Sequence, residues 1–344
     1  MPLSYPHFND LPPPHGKKGW PWDFPVPETS NASANEKIWP KICIVTPNLN
    51  YGDYLEETIR SILLQKYPNL EYIILDGGSI DGSIAVIKKY QKWIARWSSK
   101  KDNGQSDALN QGFQQSTAEI FGWLNSDDVL LPNALITIAQ YWNTYPECEF
   151  ITGNGEFINS DGSKQLYFLK GEAYVHSDLL KFHRHHLAQP STFFSRAAFT
   201  QAGNLNTHLR YAMDLDLWLR IIRIRKLHYL PVTLSRLRVH EEAKNTRERI
   251  FAIAEAKTVI KTHCKNIPLI ESFSIHIGLC RLYSITLCAQ GMVEYFSGNH
   301  LQALKMLGKS FFYYPGILFK KCAWGLALRL ILCKSIKRMI FKVP

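Results

Sequence analysis

A strand, helix, strand pattern between Lys41 and Leu75 constrains the fold more than any other stretch. Lys41-Ile-Cys-Ile-Val-Thr46 is a short apolar run halted by Pro47, which suits a strand buried on both faces. Tyr54 to Lys66 places Leu55, Ile59, Ile62 and Leu63 at i, i+4, i+7 and i+8, one face of an amphipathic helix. Pro68-Asn69 turns the chain, and Glu71-Tyr-Ile-Ile-Leu75 is a second buried strand. Two strands joined by one helix over so short a reach run parallel, with a right-handed crossover. The class is therefore α/β. In open α/β sheets ligands bind beyond the carboxyl ends of the strands, and Asp76-Gly-Gly-Ser-Ile-Asp-Gly-Ser83 stands at such an end. Its glycines allow close backbone approach, and Asp81 is placed to cap a helix carrying Ile84, Ile87 and Ile94.

Asp102 to Asp107 reads as a turn and Ala108 to Gln115 as a short helix. A third strand follows in Ile120, Phe121, Trp123 and Leu124, and it runs into Asn125-Ser-Asp-Asp128. Adjacent carboxylates at a strand end repel unless a cation or a shared proton offsets them. Mg²⁺ commonly uses one or two protein carboxylates and completes its shell with substrate phosphates. The stretch therefore reads as a metal site completed by a phosphate-bearing ligand, or else as an acidic turn. A helix from Asn133 to about Tyr145 and a strand-rich reach from Glu149 to Phe168 complete a Rossmann-like half.

The second half holds a strand over Gln189 to Phe194, a helix over Arg196 to Ala202 ended by Gly203, and a helix over Asp214 to Arg225. Asp214 and Asp216 fall at that last helix's start, where unsatisfied N–H groups favour carboxylates. A strand from His228 to Val239 leads to His240. There is no G-x-x-x-x-G-K-[ST] loop, no G-x-G-x-x-G after a first strand and no G-x-S-x-G elbow. P-loop NTPases, simple dinucleotide dehydrogenases and α/β hydrolases are disfavoured accordingly.

Residues 1–39 form a Pro- and aromatic-rich arm, with Pro12, Pro13, Pro14, Pro21, Trp20 and Trp22 among its members. It either packs on the folded body or is a disordered leader. Residues 261–344 hold 12 Lys or Arg against 2 acidic residues, so nearly all of the net charge of +11 belongs there. Gly291, Gly298, Ala303, Leu307, Ser310 and Pro315 follow the small and apolar positions of one tetratricopeptide-like helix pair. From Gly316 to Pro344, Leu, Ile, Phe and Trp324 alternate with Lys and Arg and no acid. Such a helix suits either an anionic membrane surface or docking with a solvated basic face. The basic residues accompany aliphatics rather than a nucleic-acid motif, so no nucleic acid is expected. No run of about 18–20 apolar residues and no signal peptide is evident, and the seven cysteines carry no C-x-x-C pair. A cytoplasmic protein, peripheral on the inner face of a membrane, is the expectation.

In their order, the βαβ start, Asp76-Gly-Gly-Ser, Asn125-Ser-Asp-Asp128 and the Asp-Leu-Asp-Leu-Trp-Leu-Arg helix from Asp214 resemble glycosyltransferase family 2 over roughly residues 40–250. The resemblance implies the A-type glycosyltransferase fold, a Rossmann-like mixed sheet, over residues 40–262, followed by a basic helical extension over 263–344. It implies an inverting hexosyltransferase that moves a sugar from a nucleotide-diphosphate sugar, with Mn²⁺ or Mg²⁺, to a glycan or lipid-linked acceptor hydroxyl in surface polysaccharide or glycan synthesis. By position, Asp127 resembles the metal carboxylate of the D-x-D motif, with Asn125 at its first position and Asp128 as a supporting neighbour. Asp76 resembles the nucleobase holder, and Pro47 and Asn50 resemble the first nucleotide-binding loop. Gln105 and Gln189 fall where they would line the donor and acceptor sides. Asp214 resembles the catalytic base, with Met213 where the family usually has Glu, and Asp216 is its competitor. His240 resembles the third metal or diphosphate contact. The row His183 to His186 reads as a solvated loop or as acceptor contacts. A different class, a non-catalytic interaction protein on the same scaffold, is the alternative. A sugar nucleotidylyltransferase would want a Gly- and Arg/Lys-rich first loop, which Thr46-Pro-Asn-Leu-Asn-Tyr-Gly52 is not.

Overall fold

A computed structural model describes residues 6–13, 16–23, 39–182, 184–243, 248–319 and 321–332. These fall into two compact units, one drawn from 1–176 and 186–241, the other from 177–185 and 242–344.

In the first unit the elements run β1 (Ile42–Asn48), α1 (Gly52–Leu63), β2 (Leu70–Asp76), α2 (Ser83–Tyr90), β3 (Arg96–Ser99), α3 (Gln105–Gln115), β4 (Ile120–Trp123), β5 (Val129–Leu130) and α4 (Ala134–Thr144). They continue with β6 (Phe150–Ile158), β7 (Gln165–Leu169), α5 (His176–Leu180), which begins at the edge of this unit, β8 (Thr192–Ser195), α6 (Arg196–Ala202), α7 (Met213–Ile221) and β9 (His228–Arg238). The strands form one sheet in the order β3-β2-β1-β4-β8-β6-β9-β5, with β7 paired to β6. β1, β2, β3 and β4 are mutually parallel, as the crossover helix requires, whereas β8 runs antiparallel to β4 and β6. The sheet is therefore mixed, as expected.

β1 continues through Pro47 to Asn48 instead of stopping before the proline. The reason lies in the register: β4 pairs with β1 only as far as Val45 opposite Trp123, so no ladder on that side needs the N–H that Pro47 lacks. β3 is an edge strand half open to solvent, and its residues carry no apolar run to announce it. Ile94 lies beyond the end of α2 yet is buried.

The sheet packs on both faces. On one, Leu55, Ile59 and Ile62 of α1 and Leu135 and Ile138 of α4 join Ile42, Ile44 and Ile74. On the other, Phe113 of α3 stacks on Phe121 with ring centroids 4.8 Å apart, and Trp123 stacks on Trp218 of α7 at 5.2 Å. This second, aromatic layer fixes the end of β4, two residues before Asn125. Gly112 lets α3 close on β1, since a Cβ there would sit 2.7 Å from Val45 Cγ1. The described part of the N-terminal arm packs on this unit. Buried Arg60 of α1 donates to the carbonyls of Pro12 (2.8 Å) and Pro21 (3.1 Å), and Trp20 Nε1 donates to the Leu130 carbonyl (2.7 Å).

The second unit holds α8 (Arg249–His263), α9 (Leu269–Phe296), α10 (His300–Tyr313) and α11 (Lys321–Leu332). α9 and α10 form a hairpin in which Ser284 Oγ donates to the Ser310 carbonyl at 2.7 Å. Gly291 allows α11 to approach, because a Cβ there would stand 2.7 Å from Leu326 Cδ2. One expectation needs correction: α9 is long and apolar enough, by length and composition, to cross a membrane. Interspersed Ser, Thr, Gly and His residues break up the apolar run in the sequence without lowering its average enough to disqualify it. Residues 333–344, the end of the basic tail, lie outside the described residues.

Candidate active site

Three strand ends converge at the carboxyl edge of the parallel strands. Asn48 closes β1, Asp76 closes β2 opposite it in the register, and Ser99 closes β3 opposite Asp76. Asp76 is buried and collects five donors. Asn48 Nδ2 (2.7 Å) and Ser79 Oγ (2.5 Å) donate to one oxygen, and Gly78 N (3.1 Å), Ser79 N (2.9 Å) and Ser99 Oγ (2.6 Å) donate to the other. Burial alone would push this carboxyl up, but the donors from Ser79, Ser99 and Asn48 outweigh it and hold it below its ordinary value. The neighbouring loop is tied to the same place. Asn50 adopts a left-handed backbone (φ 57°), which Asn tolerates well; its N–H donates to Ser79 Oγ and its Oδ1 accepts from Ile80 N. Pro47 is buried in the strand just before it. Asp81, expected to cap one helix, serves two: Oδ1 accepts from Ser83 N at the start of α2 and Oδ2 from Gly52 N at the start of α1. Gly52 is needed there, because a Cβ would meet Ser83 N at 2.9 Å.

The second cluster follows β4. Asp127 Oδ2 lies 3.0 Å from Nε2 of His240, a residue 113 positions later in the chain. The imidazole is buried and flanked by the rings of Tyr51 and Tyr54, with centroids at 5.5 and 4.7 Å. Its Nδ1 is buried and has no hydrogen-bond partner among the described residues. Behind the pair sits Arg238, which donates from Nε to the Asp127 carbonyl (3.0 Å) and from Nη1 to the Ser160 carbonyl (2.8 Å). Its Nη2 stands 2.9 Å from Glu57 Oε2, a close charge contact whose angle is not that of an aligned hydrogen bond.

Asn125 and Asp128 belong to an amide network. Asn125 Oδ1 accepts from Gln105 Nε2 (2.8 Å), while its Nδ2 donates to Asp128 Oδ2 and to Gln189 Oε1, both at 3.1 Å. Gln189 Nε2 in turn donates to the Trp123 carbonyl. An amide at 125 supplies the N–H donors that these two acceptors require, and a carboxylate there could not. Asp128 points inward, its Oδ1 accepting the backbone N–H of Arg238 (3.1 Å). Burial first, and the charge of Asp127 second, push its carboxyl well above the ordinary range.

The third cluster is the start of α7. Ser106, in the first turn of α3 beside Gln105, donates its hydroxyl to Met213 Sδ at 2.9 Å. One helix start thus touches Asn125 on one side and Met213 on the other, and it brings Asp214 to the same end of the sheet. A thioether fits this buried place, whereas a Glu at 213 would put a carboxylate into it. Asp214 Oδ1 accepts from Leu215 N (2.7 Å). Asp216 is engaged with Arg220, whose Nε and Nη2 reach its Oδ2 at 3.0 and 2.9 Å. Arg220 also donates to the carbonyls of Ala202, Gly203 and Asn204. His185 and His186 are half-buried on the loop before β8, and His183 lies outside the described residues.

Among the described residues no group of three or more His, Cys, Asp or Glu gathers as a metal site. Asp127 and His240 are the two side chains placed together here that could hold a divalent ion, with substrate oxygens and water needed to complete its shell.

The family model described as Glycosyl transferase family 2 matches residues 43–203. An uncharacterised glycosyltransferase of Rickettsia typhi is 27% identical over 241 residues, covering 69% of this chain and 75% of that one. A second, of Rickettsia felis, is 29% identical over 211 residues, 59% of this chain and 35% of that protein, so the chain matches about a third of its length. Among solved structures, the mannosyltransferase PcManGT of Pyrobaculum calidifontis, in complex with GDP-Man and Mn²⁺, superposes with a TM-score of 0.55 at 17% identity, covering 89% of each chain. S. aureus TarS 1–349 in complex with UDP-GlcNAc gives 0.54 at 13% identity, covering 88% of this chain and 92% of that one. With its sheet in the A-type glycosyltransferase fold, the chain carries over residues 43–203 a domain of glycosyl transferase family 2, the domain of a sugar-transferring enzyme.

Proposed function

We propose that the chain transfers a hexose from a nucleotide-diphosphate sugar to an acceptor hydroxyl with inversion at the anomeric carbon. The observation that carries this reading is the Asp127–His240 contact beyond the end of β4, with only β1 between that strand and β2, which ends in Asp76. In this reading Pro47, Asn50 and Asp76 hold the nucleoside, and Gln105 and Asn125 line the path from it to the reacting carbon. Asp128 acts from behind, by holding Asn125 and the end of β9. Asp127 and His240 would hold a divalent ion, and an imidazole in the set would lean the preference toward Mn²⁺. When bound, the ion supplies Lewis-acid charge that offsets the departing diphosphate.

The proton goes to Asp214. The acceptor hydroxyl gives it up as its oxygen attacks the anomeric carbon from the face opposite the diphosphate; one C–O bond forms and the bond to the phosphate oxygen breaks. Asp216 is the weaker candidate for base, because Arg220 already occupies it. The departures that would favour a non-catalytic scaffold, Asn125 and Met213, both have packing reasons. The acceptor is a glycan or a lipid-linked glycan of surface polysaccharide synthesis, reached from the cytoplasmic face of a membrane, with the basic stretch 316–344 drawing the protein to anionic lipid. Turnover across a panel of nucleotide sugars with Mn²⁺ tests the reading. Asp127→Ala is expected to abolish transfer and Asp214→Asn to lower it by about 10²–10⁴-fold while the fold persists, and wild-type rates in either would overturn the assignment.

A further inference from the structure

The start of α9 presents an apolar tip. Leu269 is 89% exposed, Ile270 87% and Phe273 66%, and Ile277 stands half open one turn further on. At i, i+1, i+4 and i+8 these four share one flank of the helix. The exposed cations beside them are Lys261, in the last turn of α8, and Lys265, in the turn that follows. The acid in the first turn of α9, Glu271, is paired with Lys181 at 3.2 Å. With Glu271 paired, the exposed charges that most closely precede the tip in the chain are those of Lys261 and Lys265.

α9 is apolar around most of its circumference, a composition found in buried helices or in lipid. One flank of its C-terminal half is covered, where Cys288 packs with Ile317 and Ala323 and Met292 and Tyr295 pack around Ala303 and Leu326, while Val293 and Phe296 on that half are exposed. Among the described residues, nothing covers Leu269 and Ile270 on the flank that begins there. Leu269 and Ile270 project almost wholly into solvent, so the tip is convex. A stable protein partner needs roughly 800 Å² on each side, and a convex tip offers less than a flat face. A bilayer interface instead accepts apolar side chains to a depth of about 5–10 Å while lysines remain among the headgroups.

We propose that the Leu269–Phe273 tip inserts into the interface of an anionic bilayer, with Lys261 and Lys265 at the headgroups. This rests on the membrane-surface reading above but assigns the insertion to residues other than the basic stretch 316–344. The test is sedimentation of the full-length protein with vesicles of phosphatidylcholine alone and with added phosphatidylserine, comparing wild type with the triple variant Leu269→Ser, Ile270→Ser, Phe273→Ser. These side chains already face water, so their replacement removes no core packing; far-UV circular dichroism and donor turnover confirm the fold. Wild type is expected to bind the anionic vesicles, the triple variant to bind at least about tenfold more weakly, and Lys261→Gln with Lys265→Gln to weaken the preference for phosphatidylserine, part of which the basic stretch retains. Equal binding by wild type and the triple variant overturns the tip while the membrane reading survives on the basic stretch. No binding by wild type overturns both. A wild-type dimer that the triple variant dissolves, with vesicle binding unchanged, assigns the tip to a second copy and overturns the proposal.

Discussion

Arg238→Met tests how the candidate metal pair is held in place. The side chain is 1% exposed, and its guanidinium serves Glu57, the Asp127 carbonyl and the Ser160 carbonyl at once. Removing one partner of a buried ion pair costs about 3–5 kcal/mol, because the other charge is left uncompensated. The Glu57 side chain is 17% exposed and can recruit water or a proton, which places the expected loss near the lower end, about 3 kcal/mol. Burial already pushes the Glu57 carboxyl above its ordinary value, against the opposing pull of Arg238. A carboxyl raised in the folded state favours the fold most at low pH and loses that advantage as pH rises through its folded value. Without Arg238 the rise is larger, so the deficit of the variant should shrink as pH falls from 7 toward 5. Glu57→Gln should cost less alone and should recover part of the loss in the double variant, a coupling that a double-mutant cycle reads directly. Urea unfolding followed by the near-ultraviolet signal of the stacked Trp123 and Trp218 is the assay. A loss below about 1 kcal/mol in Arg238→Met, or a pH-independent deficit, would refute the reasoning.

Asp214→Asn should lower kcat by about 10²–10⁴-fold with little change in KM, whereas Asp216→Asn should keep turnover within a few-fold and lose about 1 kcal/mol of stability through its pair with Arg220; paired steady-state and unfolding measurements separate the two. Asp76 is held below its ordinary value of 3.8, so the stability it contributes is present above that pH and lost as pH falls through the folded value; Asp76→Asn should flatten that acid limb in unfolding curves. Asn125→Asp removes the donor to Asp128 and Gln189 and sets a charge beside an already strained carboxyl, so it should destabilise by about 1–3 kcal/mol, and more at pH 8 than at pH 5, in the same unfolding assay. Gly112→Ala should cost about 1–3 kcal/mol, read by thermal unfolding, because Val45 cannot withdraw from a central strand.

The elements that the sequence makes legible are those whose pattern is carried by apolar spacing. The run before Pro47, the α1 stripe of Leu55, Ile59 and Ile62, and the aromatic end of β4 each have one way to be buried, and each is found there. Elements without such a stripe escape notice. β3 holds only Arg96-Trp-Ser-Ser99, and β5 is two residues long and defined by its pairing with β9 rather than by its own composition. Pro47 reads as a stop because a proline's missing N–H matters only where a neighbour wants it, and where β4 stops pairing with β1 is visible only in three dimensions.

Site residues follow the same division, but for a chemical reason. Carboxylates at strand ends announce themselves, since a sheet has few other reasons to end in Asp. The neutral partners do not: Asn48, Ser79 and Ser99 around Asp76 look like turn residues until the strand register brings them to one carboxylate. The same holds for the amide chain Gln105, Asn125, Gln189, whose members are separated by tens of residues. That network changes the meaning of the motif that the sequence brings forward. Asn125 is a departure only if position 125 is asked to hold a cation; in the structure it is asked to donate to two acceptors while accepting from a third. A carboxylate would fail that task, and its charge would add to that of Asp127 beside a buried Asp128 whose carboxyl is already driven up. The amide thus leaves Asp127, half-buried, as the less buried of the turn's two carboxylates. Under the proposed function His240, set between two tyrosines and 3.0 Å from Asp127, would be the second donor in place of an acid at position 125.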